Sequence, residues 1–164
     1  MKNFETPLAI TMGDPSGIGP EIILKSVLET KLNNFLIFGD SLVFDSLIKS
    51  LGLPLTINKI SELSEAIFEE DYINLFETSK LNHLPHYGKI SKECGKASFD
   101  AIMKSIELAK QGKVSGIVTA PISKKALNLA NINYPGHTEI LADYSNNKAA
   151  VSYTHLTLPT ISDV

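Results

Sequence analysis

Cysteine is nearly absent. Cys94 is the single one in 164 residues, so no disulfide can form within the chain and a reducing cytoplasm fits. No apolar run approaches the roughly 20 residues needed to cross a bilayer, which argues against a membrane protein. The first residues, Met1-Lys-Asn-Phe-Glu-Thr-Pro7, lack the apolar core of a secretory signal. Neither sign of charge dominates: 15 Lys and Arg stand against 18 Asp and Glu, a net charge of −3. The basic residues are scattered, with Lys124-Lys125 the one adjacent pair, so a nucleic-acid partner is not expected. There is no internal repeat and no low-complexity tract. What is present is 43% hydrophobic and 20% charged, enough to bury the core of one domain of ordinary size.

The pattern along the chain alternates strands with helices. Leu8–Met12 is a short apolar run ended by Gly13 and Pro15. A helix is expected from about Pro20 to Lys31, with proline in its first turn, where its missing N–H costs nothing. Asn34–Phe38 reads as the next strand. Ser41–Leu51 has helical spacing through Leu42, Phe44, Leu47, Ile48 and Leu51, and Gly52 caps it. Leu55–Lys59 and Tyr72–Phe76 read as strands, and residues 77–91 as turns. Lys92–Gln111 is a helix whose apolar face holds Ala97, Ile102, Ile106, Leu108 and Ala109. A strand over 115–120 follows, stopped by Pro121. Ser123 then caps a short helix from Lys124 through Leu129, and a last helix starts at Thr138. Such alternation predicts an α/β fold built from parallel βαβ units.

Three constellations carry candidate chemistry. Gly13-Asp-Pro-Ser-Gly-Ile-Gly-Pro-Glu21 joins a strand to a helix. Its glycines let backbone approach a ligand, and its N–H groups with the helix dipole can hold an anion. The spacing is not Gly-x-Gly-x-x-Gly, and no Gly-Lys-Ser/Thr ending follows. A tight turn in which Asp14 bonds nearby backbone N–H groups accounts for the same residues. Lys124 stands at a helix start, where a cation opposes the dipole and makes more sense facing a phosphate or carboxylate; a solvated surface lysine is the plain alternative. In Pro135-Gly-His-Thr-Glu139, His137 and Thr138 sit at the positive end of a helix. His137 can exchange a proton with a hydroxyl near neutral pH, or simply cap the helix. Glu139 could orient His137 or favour the helix start. His83 and His86 read as solvated, and Cys94 as a small residue at a helix start.

The first loop, Thr119-Ala-Pro-Ile-Ser-Lys124 with Gly136-His-Thr-Glu139, and Gly88-Lys-Ile-Ser-Lys-Glu-Cys-Gly95 together resemble the 4-hydroxythreonine-4-phosphate dehydrogenase family. The resemblance covers about Leu8 to Ala149. It implies an NAD-dependent oxidation of a secondary alcohol in a small phosphorylated hydroxy acid, then decarboxylation, in pyridoxal 5′-phosphate biosynthesis. It implies a fold like that of isocitrate and isopropylmalate dehydrogenases, here truncated. A divalent metal cation held by three histidines and a cytoplasmic homodimer are implied as well. His137 matches the family's catalytic, substrate-contacting histidine, with Thr138 beside it. Lys124 matches a lysine near the same site, and Asp14 matches the first motif, where a structural role comes first.

Family members are much longer, and their remaining half brings metal histidines and most of the cofactor site. Residues 1–150 are therefore expected to be an N-terminal fragment, inactive alone. Residues 151–164 are expected to be a non-native tail, because Val151-Ser-Tyr-Thr-His-Leu-Thr-Leu-Pro-Thr160 looks like translated sequencing-adapter read-through. His155 is accordingly not assigned as a ligand. The alternatives are a sister dehydrogenase for a four-carbon sugar-acid phosphate, an acyl-phosphate transferase of related fold, and an inactive piece.

Overall fold

The computed structural model describes residues 6–145. The expected boundary at residue 150, the tail 151–164 and His155 lie outside the described residues. Five strands form one parallel sheet: β1 (Leu8–Thr11), β2 (Phe35–Gly39), β3 (Thr56–Ile60), β4 (Tyr72–Glu77) and β5 (Gly116–Thr119), in the order β3-β4-β2-β1-β5. The helices between and after them are α1 (Gly19–Thr30), α2 (Ser41–Leu51), α3 (Lys92–Lys110), α4 (Lys124–Leu129) and α5 (His137–Ser145), with a short 3-10 turn at Leu63–Glu65 that the sequence pattern does not announce. The α/β class with a parallel sheet is thus as expected. Element ends differ by a residue or so; α5, for one, begins at His137 rather than Thr138.

Side chains alternate across the sheet, as the period of two requires. From β1 and β2, Ile10, Phe35 and Ile37 enter a core with Ile23, Leu24, Val27, Phe44 and Leu47 of α1 and α2. Ala9, Leu36 and Phe38 point the other way, onto Ala101 and Leu108 of α3. Phe38 stacks on Phe76 at 5.2 Å between ring centres. Both faces of the central strands are covered, which is why they read as continuous apolar runs.

Local rules fix the turns. Asp40 is the N-cap of α2, accepting from the Leu42 N–H at 3.0 Å. Its other oxygen accepts from Leu81 N–H at 2.7 Å and Ser79 Oγ at 3.1 Å, tying this turn to the chain that leaves β4. Ser91 caps α3 and Ser123 caps α4.

The strand order decides where a ligand can go. From β1 the chain moves through α1 to β2 on one side. After β4 it returns through α3 to β5 on the other side of β1. The loops leaving β1 and β5 therefore rise from adjacent strand ends, the side of the sheet on which open parallel sheets bind ligands.

Candidate active site

Gly13 begins the loop after β1. Its φ is +73°, and a Cβ there would lie 2.4 Å from the Pro121 carbonyl oxygen and 2.9 Å from Ala120. Only glycine fits both the left-handed backbone and the contact. The Asp14 N–H donates to Pro121 O at 2.8 Å, and the Ala120 N–H to Thr11 O at 3.2 Å. The loop after β1 and the loop after β5 are therefore laced together. A Cβ on Gly19 would meet Met12 O at 2.6 Å and the Ala120 side chain at 3.0 Å. These two glycines face the chain's own backbone, not an open cradle.

Asp14 is 8% exposed. Its Oδ1 accepts from the Ser16 N–H at 2.9 Å and from Ser16 Oγ at 2.8 Å, the side-chain-closed turn that Asp favours. Ser98 of α3 donates to Gly13 O at 2.9 Å. Of the two readings of this loop, the geometry favours the tight turn. Cys94 is buried beside it, and burial pushes its thiol pKa up, against the Ser91 and Ser16 hydroxyls, while nearby Asp14 raises it further. A thiol held protonated is a poor nucleophile.

His137 opens α5, just above the end of β5. Its position is set from below by packing. Ile140, one turn later, is fully buried among Ile102, Ile106 and Leu127. Phe99 of α3 gathers Tyr134 and Tyr144 around it, with ring centres 6.3 and 6.1 Å away. The Tyr134 hydroxyl also donates to Asp143, and the carboxylate beside it holds the phenol well above its ordinary pKa. Sequence reasoning missed this aromatic clamp, because its members are separated by 35 and 10 residues.

The imidazole itself is half-buried. Burial pushes its pKa below the usual histidine value, partly offset by a hydrogen bond to the Ala120 backbone. Nε2 is shut off from solvent and has no hydrogen-bond partner among the described residues. Glu139 does not hold the ring: it is exposed, and its Oε2 lies 3.4 Å from where a Gly136 Cβ would stand. The aliphatic end of Lys124 lies 4.0 Å from the same point. Lys124 is exposed, and Thr138 is half-buried in the first turn of α5. That first turn carries N–H groups with no helical acceptor. The chain contains no arginine, so among the described residues an anion here would meet Lys124, His137, the Thr138 hydroxyl and backbone N–H groups.

The structure thus brings Lys124, His137 and Thr138 to one place. It joins Asp14 to them through the Ala120–Pro121 backbone and not through its carboxylate. His83 and His86 stand apart, both exposed, on a groove of about 580 Å³ that also includes Lys89, Ser91 and Glu93. Among the described residues no three His, Cys, Asp or Glu gather to hold a metal ion.

A family model described as pyridoxal phosphate biosynthetic protein PdxA matches residues 31–159. The chain belongs to the PdxA family. The PdxA match agrees with curated relatives. A 4-hydroxythreonine-4-phosphate dehydrogenase from Beijerinckia indica is 49% identical over 87% of this chain and 43% of that protein. A Fusobacterium nucleatum protein provisionally named D-threonate 4-phosphate dehydrogenase is 38% identical over 88% of this chain and 45% of its own length. Among solved structures, a 4-hydroxythreonine-4-phosphate dehydrogenase from Klebsiella pneumoniae superposes with a TM-score of 0.81 at 35% identity, covering 87% of this chain and 45% of that one. The chain spans less than half the length of these PdxA-type relatives. Their names place the family among dehydrogenases acting on phosphorylated hydroxy acids. Among the described residues, no helix is long and apolar enough to cross a membrane.

Proposed function

We propose that this chain is the substrate-side part of an enzyme that oxidises the secondary alcohol of 4-phosphohydroxy-L-threonine with NAD. The resulting 3-keto acid then loses carbon dioxide, a step toward pyridoxal 5′-phosphate. The supporting observation is the approach of Lys124 to the α5 start that carries His137 and Thr138, in a member of the PdxA family. A cytoplasmic homodimer is the assembly that the family resemblance favours.

Each side chain has a role that its surroundings support. His137 is kept neutral by burial, so its imidazole can accept the hydroxyl proton as the carbon gives up its hydride. Its position at the positive end of α5 adds to the same bias. Lys124 and the free N–H groups of the first turn of α5 offer positive charge to a phosphate or carboxylate. The Thr138 hydroxyl can accept or donate to orient the substrate. Asp14 shapes the turn beneath them.

The nicotinamide would take the hydride, and a divalent cation would stabilise charge on the reacting oxygen. The described residues do not fit either group. No three metal-ligating side chains meet, and the glycines of the first loop are closed on Ala120, Pro121 and Met12. This chain's own contribution is therefore to bind and orient the substrate and to take its proton.

A second reading is a D-threonate 4-phosphate dehydrogenase, favoured by the 38% identity to the Fusobacterium protein. The two substrates differ at C2, amine against hydroxyl. The test is a chimera joining residues 1–145 of this chain to the remaining half of the Beijerinckia enzyme. NADH formation is followed with both substrates. Turnover of 4-phosphohydroxy-L-threonine is expected. Turnover of D-threonate 4-phosphate alone would favour the second reading, and a folded chimera inert on both would overturn the proposal.

A further inference from the structure

We propose that Tyr134 and Asp143 are positioning residues for the candidate site. Their side-chain contacts fix the strap between α4 and α5, residues 130–136, and thereby set how Lys124 stands to His137 and Thr138. The purpose given to that spacing rests on the reading of these three as the substrate-side groups.

The two ends of the strap are anchored by backbone. Asn131 N–H donates to Asn128 O and Ile132 N–H to Leu127 O, both at 3.0 Å, so the chain leaves α4 in a fixed direction. At the far end the Gly136 carbonyl accepts from Ile140 N–H at 3.4 Å, in the first turn of α5. Between these points, residues 133–135 make no backbone hydrogen bond among the described residues. Pro135 has no N–H to offer.

What holds this stretch is the Tyr134 side chain. Its ring is half-buried against Phe99 of α3, with centres 6.3 Å apart, and against Tyr144 of α5, with centres 6.2 Å apart. Its hydroxyl donates to Asp143, a charge-assisted bond of the stronger class. Asp143 has no other hydrogen-bond partner among the described residues. Tyr134 is thus folded back along the helix that it introduces. The strap reaches the site at Gly136, where a Cβ would stand 4.0 Å from Lys124 Cε, and the next residue is His137. Burial of Ile140 docks α5 as a body but does not fix the residues that precede it. With the hydroxyl removed, the Pro135–Gly136 segment can swing, and Lys124 and the imidazole lose their common reference.

The test is NMR of the ¹⁵N,¹³C-labelled 164-residue chain, without substrate. In wild type, nuclear Overhauser contacts should join the Gly136 α-protons to the Lys124 side chain. Tyr134→Phe keeps the ring and removes only the hydroxyl; Asp143→Leu removes the acceptor. In each folded variant those contacts should be lost and the His137 ring signals should shift. Asp143→Asn keeps an oxygen that can accept from the hydroxyl and should keep both wild-type signatures. A role in stability alone would lower the melting temperature and leave the signals of the folded variants unchanged, and that result overturns the proposal. So does a wild-type chain without the Gly136–Lys124 contacts, whether or not any variant folds. Neither result depends on turnover, so a chimera inert on both substrates would sink the functional reading and leave the spacing standing.

Discussion

Gly95 offers a perturbation whose sign is decisive. It lies inside α3, where alanine is ordinarily better than glycine by about 0.5–1 kcal/mol. If this glycine were only tolerated, Gly95→Ala would stabilise the chain by about that much. The structure says the reverse. A Cβ on Gly95 would stand 2.0 Å from the Ala126 carbonyl oxygen, 2.3 Å from its carbon and 2.8 Å from Leu127 N. These are backbone atoms of α4, so no side chain can rotate away. Overpacking of this kind costs about 1–3 kcal/mol, occasionally more. A clash this close with backbone belongs in the upper part of that range, so netting the helix gain against it leaves a loss of about 1–2.5 kcal/mol, or about 2–10 °C in melting temperature for a domain of this size. Urea and thermal unfolding of the two chains measure it. Because α4 begins at Lys124, the substitution should also move that residue relative to His137. A Gly95→Ala chain as stable as wild type, or more so, would refute the close crossing of α3 and α4 and the placement of Lys124 built on it.

Ile140→Ala should lose about 2–5 kcal/mol by opening a cavity under α5, since Ile140 is 0% exposed; a change under about 0.5 kcal/mol, the scale of surface substitutions, would mean that α5 is not docked as described. His137 is expected to make the fold acid-sensitive. Its folded pKa lies below the unfolded value of 6.5, so the unfolded chain takes up a proton first. Its stability contribution is intact above 6.5 and declines as pH falls below 6.5 toward the folded pKa. Urea midpoints across that window should show a fall that His137→Asn removes; equal slopes would contradict the burial. The purified chain alone should form no NADH from 4-phosphohydroxy-L-threonine, with or without a divalent cation. Metal-dependent turnover by it would show that the described residues do not define its chemistry.

Much of the fold was legible because it is written locally. Gly52 ends α2 with φ +61° and Ser123 caps α4, both where the spacing placed them. Strand runs such as Phe35–Gly39 announce themselves because both of their faces are buried. The motif residues Lys124, His137 and Thr138 could be singled out for the same reason: a helix start is a local signal. What was illegible is what lies between elements. Ala120 and His137 meet across 16 intervening positions. The first loop meets Pro121 because β5 chose the open side of β1, a choice no single segment encodes. Glycine spacing in residues 13–19 shows that backbone comes close to something. It does not show that the something is the chain's own Ala120 and Pro121. Gly95 reads as a weak point in a helix until α4 is placed across it.

The role of His137 is tested most directly by steady-state kinetics of the chimera, wild type against His137→Ala, with a melting curve for each. Loss of a well-placed proton acceptor should lower kcat/KM for 4-phosphohydroxy-L-threonine by about 10²–10⁴-fold, with the melting temperature nearly unchanged. Unchanged kcat/KM together with a lowered melting temperature would show that His137 caps α5 and does no chemistry.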